Sequence, residues 1–134
     1  MSLIQTPVSY GELIDKITIL RIKLQEIKDE AKLANVRNEL ELLEATWSND
    51  KASEVDIADE TRRLLEVNQR LWKIEDDIRM KERAQAFDQE FIELARSVYI
   101  ENDERAAIKR EINVKLGSTL VEEKSYQDYR APQA

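Results

Sequence analysis

FIELARSVYIENDERAAIKREINVKL, residues 91–116, is the stretch on which the fold turns. At about 100° per residue, Phe91, Leu94, Ala95, Val98, Ala106, Ile112 and Leu116 share one broad face, the pattern of a long amphipathic helix. Asn102, Arg105, Lys109 and Asn113 point the same way. A polar group on a core-facing stripe costs free energy unless it finds a partner, so the spacing predicts that this helix meets matching acids or a ligand.

The matching acids are expected on the helix before it. Ile57, Leu64, Val67, Leu71, Ile74 and Ile78 give a core side to a helix from about Glu54 to Gln85. Asn68, Glu75 and Glu82 lie within about 40° of the line through Leu64, Leu71 and Ile78, so two acids on one core face oppose two bases on another. Phe87, Asp88 and Ile92 resemble a hydrophobic staple around an N-cap, which divides this helix from the next. The rival is one unbroken helix over 54–116, roughly 90 Å long.

Nearer the N-terminus, Ser9 and Glu12 fit a capping box, with Val8 and Leu13 as its staple. Leu13, Ile17, Leu20, Leu24 and Ile27 then carry a first helix from about Tyr10 to Lys28, widened by Ile14, Ile19 and Ile22 toward a second neighbour. After a break near Asp29 to Ala31, Leu33, Val36, Leu40, Leu43 and Trp47 define a second helix, folded back as a hairpin. The run SNDKAS at 48–53 reads as a loop, with Ser53 and Asp56 placed to cap the third helix. Gly117 suits a helix C-terminus. The expected organisation is an extended lead-in at 1–8, one helical domain at 9–117 and a tail at 118–134 that Tyr126 and Tyr129 could dock. The fold class is all-α, a four-helix hairpin bundle with two shorter and two long antiparallel helices.

Composition narrows the chemistry. The chain has 134 residues, 42% hydrophobic and 37% charged, with two Gly and two Pro, which favours solvent-washed helices over sheets. A net charge of −7 and a pI near 4.8 argue against nucleic acid as a partner, although a local basic stripe could bind a small anion. With no Cys and no His, disulfides, thiolate nucleophiles, catalytic triads and imidazole-ligated metals are excluded. No apolar run approaches a membrane span, and MSLIQTPVSY lacks the features of a secretory leader, so the expectation is a cytoplasmic protein without membrane insertion. No cofactor and no metal are expected, since the carboxylates of Glu75, Asp76 and Asp77 fan out around their helix.

Several segments resemble a bacterial and phage family known as domain of unknown function 6165. They are PVSYGELIDKITILRIK at 7–23, KLANVRNELELL at 32–43, LWKIEDDIR at 71–79, FDQEFIELARSVYIENDERAAIKREIN at 87–113 and GSTLVEEKSYQDY at 117–129. The resemblance implies a small helical protein, of a kind often encoded beside genes for surface polysaccharide and glycosyl transfer, with no assigned catalytic residue to carry over. LIDKITILRIK also resembles the first helix of the all-helical chorismate mutases, which surround a dicarboxylate with Arg and Lys. That likeness implies a set made of Arg21, Lys23, Arg105, Lys109 and Glu75. The repeated Ile-Asp pairing of that family's first helix is missing here.

The candidate ligand-binding residues are Asn102, Arg105, Lys109 and Asn113, with Glu75 and Asn68 opposite. Guanidinium and ammonium groups hold a phosphate, carboxylate or sugar phosphate, and the amides orient them. The competing expectation is an interhelical ion-pair network of Arg105 and Lys109 with Glu75, Glu82 and Asn68, serving packing register or dimer specificity. Glu12, Asp15, Lys16 and Arg21 are expected to be mostly solvated, with Glu12 and Lys16 as an exposed helical pair. The functional expectation is a non-enzymatic helical binding or adaptor protein, working as a homodimer. A small metal-independent enzyme of chorismate mutase type and a purely structural dimer are the alternatives.

Overall fold

A computed structural model gives the structure of the protein and describes residues 2–130. Four helices make two hairpins: α1 (Tyr10–Glu26) with α2 (Glu30–Asn49), and α3 (Ala58–Arg83) with α4 (Gln89–Leu116). No strand occurs among the described residues. A single 3-10 turn at Lys51–Glu54 joins the two hairpins, so the expected loop at 48–53 is largely helical, with α2 running on through Asn49.

Local chemistry sets each boundary. Ser9 caps α1 by accepting the Glu12 N–H at 3.1 Å, while the Glu12 carboxylate turns to Lys109 and leaves the box half made. Asp29 accepts the N–H groups of Ala31 and Lys32, which starts α2 without Gly or Pro. Asp56 accepts the Ala58 N–H at 2.9 Å ahead of α3. Ser53 instead donates back to the carbonyls of Ser48 and Asp50, so only one of the two expected caps forms. The rival single helix over 54–116 is ruled out by a turn in which Gln85 takes φ 53° and Asp88 accepts the Phe91 N–H at 3.0 Å. Phe87 and Ile92, the expected staple, are both about half exposed, and Phe87 packs edge-on against Phe91 at 5.2 Å. Gly117, at φ 67°, ends α4 in the left-handed conformation as expected.

α1 is the central element and packs against α2, α3 and α4. It serves two neighbours through two lines of residues. Leu13, Ile17 and Leu20 form one line and join Val36, Leu40, Ile57, Leu64, Val67, Ile108 and Ile112 in the core. Gly11, Asp15, Thr18 and Ile22, all buried, form the other at the spacing of a helical stripe. The approach of α1 to α4 is so close that a Cβ on Gly11 would lie 2.5 Å from the Lys109 carbonyl oxygen.

The core ends well before the α3–α4 turn. Its apolar residues reach Leu71 in α3 and resume at Ile108 in α4, and no residue from Gln69 to Ala107 is fully buried. The far part of the α3–α4 hairpin, toward its turn, is therefore an arm with no fully buried residue. Tyr10 and Trp47 stack edge-on at 6.3 Å against the core, whereas Trp72 is half buried on the arm.

Candidate functional site

Where α1 crosses α3 and α4, a polar cluster replaces the apolar core. Asp15 has no solvent exposure. Its Oδ1 accepts from Asn68 Nδ2 and from Arg105 Nε, both at 2.9 Å, and the Arg105 guanidinium also reaches Oδ2. The second Asn68 amide hydrogen goes to Thr18 Oγ1 at 2.9 Å, and that hydroxyl donates to the Asp15 carbonyl at 2.7 Å. One carboxylate, one hydroxyl, one amide and one guanidinium thus satisfy one another. Among the described residues, no buried side-chain polar atom lacks a partner.

One turn along α4, Lys109 is almost fully buried and donates to Glu12 Oε2 at 2.8 Å and Glu122 Oε2 at 2.7 Å. Burial works against its charge, yet the two carboxylates outweigh it and hold the ammonium above its ordinary pKa. The Glu122 carboxyl is held below its ordinary value, chiefly by the hydrogen bond from Lys109. Asp15 likewise keeps the Arg105 guanidinium charged. A further turn on, Asn113 Oδ1 accepts the Gly11 N–H at 2.7 Å and fixes the N-terminus of α1 against α4.

Sequence and structure part company over the partners. Arg105 and Lys109 do meet acids, but the acids are Asp15 and Glu12 of α1 and Glu122 of the tail. Glu75 pairs with Arg79 of its own helix, and Glu82 is exposed near the α3–α4 turn, so neither joins the cluster. Asn68 joins it and Glu75 does not, because seven helical residues carry Glu75 about 10 Å further out. Of the four α1 charges expected to be mostly solvated, Asp15 is fully buried and Glu12, still partly exposed, pairs with Lys109, whereas Lys16 stays exposed and faces Glu39 of α2 at 4.0 Å and not Glu12. Arg21 faces Glu44 of α2 at 4.0 Å, away from Arg105.

Glu122 enters the site from the chain that follows Gly117, which runs back along α4. Arg110 lies 3.6 Å from Glu123, Tyr129 packs edge-on against Tyr99 at 4.9 Å, and Arg130 reaches Asp103 at 3.2 Å. Tyr126 stays 81% exposed, so of the two tyrosines expected to dock the tail only Tyr129 does. The last residues of the tail, 131–134, lie outside the described residues. Between tail and helices is an open cleft of about 230 Å³ lined by Glu12, Asn102, Arg105, Ala106, Lys109, Glu122 and Lys124. Glu122 and Lys124 sit in a segment without hydrophobic periodicity and give no advance signal. Asp15 and Thr18 do give one, through the spacing of residues 11, 15, 18 and 22.

Fold and site define a class: an all-helical protein of two hairpins, locked by a buried ion pair and strapped by its own tail. The chain belongs to the family of unknown function (DUF6165), whose model matches residues 4–133. No curated protein and no solved structure matches it. Among the described residues, no helix is long and apolar enough to cross a membrane, and no group of three or more acidic side chains could hold a metal ion.

Proposed function

We propose that this chain is a non-enzymatic helical binding protein whose ligand presents a compact oxyanion, a phosphate or carboxylate group, to the cleft beside Lys109. The observation that carries this reading is the charge count at the cleft. With the tail docked, Arg105, Lys109 and Lys124 face Asp15, Glu12 and Glu122, and the charges balance. Asp15 and Glu12 are fixed on α1, but Glu122 stands on an extended segment. When the Glu122 carboxylate alone turns out of the cleft and Lys124 stays, one positive charge is unmatched, which is room for one anionic group. Asn102 lines the same cleft and offers an amide to a ligand hydroxyl or oxygen. Glu122 is then an internal substitute for the ligand, and a tethered carboxylate competes at an effective concentration of about a millimolar.

The setting proposed for this binding is cytoplasmic and, following the family resemblance, surface-polysaccharide synthesis, where sugar phosphates are the available oxyanions. An enzyme of chorismate mutase type is the alternative; it would need Arg21 and Glu75 brought to Arg105. A purely structural dimer is the other.

Thermal unfolding against inorganic phosphate, succinate and a hexose phosphate separates these readings. For Glu122→Gln, phosphate should raise the melting temperature at concentrations about tenfold lower than for the natural chain, because the competing carboxylate is gone. A variant whose melting temperature responds to none of the three anions would leave the cluster a structural lock.

A further inference from the structure

Glu12 and Glu122 wall two clefts, which differ in character. On one side is the oxyanion cleft, mostly polar, with Asn102, Arg105, Lys109 and Lys124 around the two carboxylates. On the other is an open cleft of about 240 Å³, lined by Pro7, Val8, Ser9, Leu120 and Val121 besides the same two acids. The lead-in forms one bank of this second cleft and the start of the tail forms the other.

The contrast begins in the sequence. The chain is 37% charged, yet no charged side chain occurs from Ser2 to Gly11 or from Leu116 to Val121. These neutral runs meet at the second cleft and leave apolar side chains in water there: Val8 is 48%, Leu120 44% and Val121 40% exposed. Residues 2–9 and 118–122 lie outside the helices, and no backbone hydrogen bond joins the two segments. Their separation can therefore adapt to what lies between them. Apolar surface gathered at one place on an otherwise charged molecule marks a binding surface.

The shared wall says what covers it. An anionic group on Lys109 takes the place of the Glu122 carboxylate, and a substituent that leaves it between Glu12 and Glu122 enters the second cleft. A second charged group there would gain no partner and would face both acids, whereas a hydrocarbon chain removes Val8, Leu120 and Val121 from water. We propose that the ligand is an alkyl phosphate, its head at Lys109 and its chain between the lead-in and the tail. Resting on the oxyanion reading, this names the class of ligand that the cleft takes.

The test compares methyl phosphate with butyl phosphate, which share a head and differ by three methylenes, on the whole chain carrying Glu122→Gln. The Lys109 nitrogen resonance reports the head, and the Leu120 and Val121 methyl resonances report the chain. Both esters should shift Lys109. Only butyl phosphate should shift the methyl resonances, and it should bind about tenfold tighter, which is what three methylenes half removed from water supply. Adding Leu120→Ser should cut that advantage to about threefold and leave methyl phosphate binding as it was, since Leu120 does not line the oxyanion cleft. Equal affinity for the two esters, with Lys109 shifting in both, would overturn the chain site and leave the oxyanion reading standing. A Lys109 resonance that neither ester moves would remove the oxyanion reading and the chain site with it. Methyl shifts that butanol reproduces with the same affinity would overturn the link between head and chain. Binding to phosphatidic acid vesicles without a response to butyl phosphate would overturn the proposal in favour of a membrane surface.

Discussion

Asp15 keeps its negative charge out of water because Arg105 and Asn68 meet it with fixed donors. Such a pair does little for stability compared with a well-packed apolar one, but removing one partner leaves the other stranded. Arg105→Leu should therefore cost about 3–5 kcal/mol in chemical denaturation, and Asp15→Leu combined with it should recover a large part of the loss. If the two substitutions simply add, the carboxylate and guanidinium are not coupled. Gly11→Ala probes the same crossing sterically. Its methyl group would overlap the Lys109 carbonyl, and an overpacking cost of about 1–3 kcal/mol is expected. The helix that carries Arg105 and Lys109 was legible from its broken stripe, and so was their need for acids. The identity of those acids was not, since periodicity gives the face of a helix but not the height at which another helix crosses it.

At the scale of the elements, the boundaries were legible where a side chain caps the backbone, as at Ser9 and Asp88, and where a glycine ends a helix, as at Gly117. They were less so where the chain turns on backbone conformation alone. Gln85 occupies the left-handed region without being glycine, a conformation that costs an L-residue about 1 kcal/mol. Gln85→Gly should recover up to that amount, measured by denaturant unfolding, and no gain would mean that the Gln85 bond to the Glu82 carbonyl compensates. The arm has its own signature. With no fully buried residue from Gln69 to Ala107, its amides should exchange through local opening at lower free energy than those of α1. Equal protection of arm and base would mean that something covers the arm in solution.

For the molecule as a whole, absent histidine and abundant ion pairs fix the response to pH. Glu122, held down by Lys109, and Glu111, held down by Arg63, contribute stability that is complete above the ordinary carboxyl value of 4.5 and is lost as pH falls through their lowered values. Lys109 is raised, so its contribution is complete below 10.5 and is lost as pH climbs past that. Unfolding free energy should be flat between about pH 5 and 10 and should fall on both sides. A slope between pH 6 and 8 would point to a titrating group outside these pairs.

The tail reaches the site from the far end of the sequence and brings Glu122 to Lys109. Nothing in its residue pattern announced this, because an extended segment has no face to read. Whether an oxyanion takes the place of Glu122 is seen most directly at the Lys109 ammonium, by following its nitrogen resonance as inorganic phosphate is added to the natural chain and to Glu122→Gln. The expected result is a saturable shift at Lys109 in both, at lower phosphate in the variant. A Lys109 signal that phosphate leaves unmoved in both proteins would contradict it.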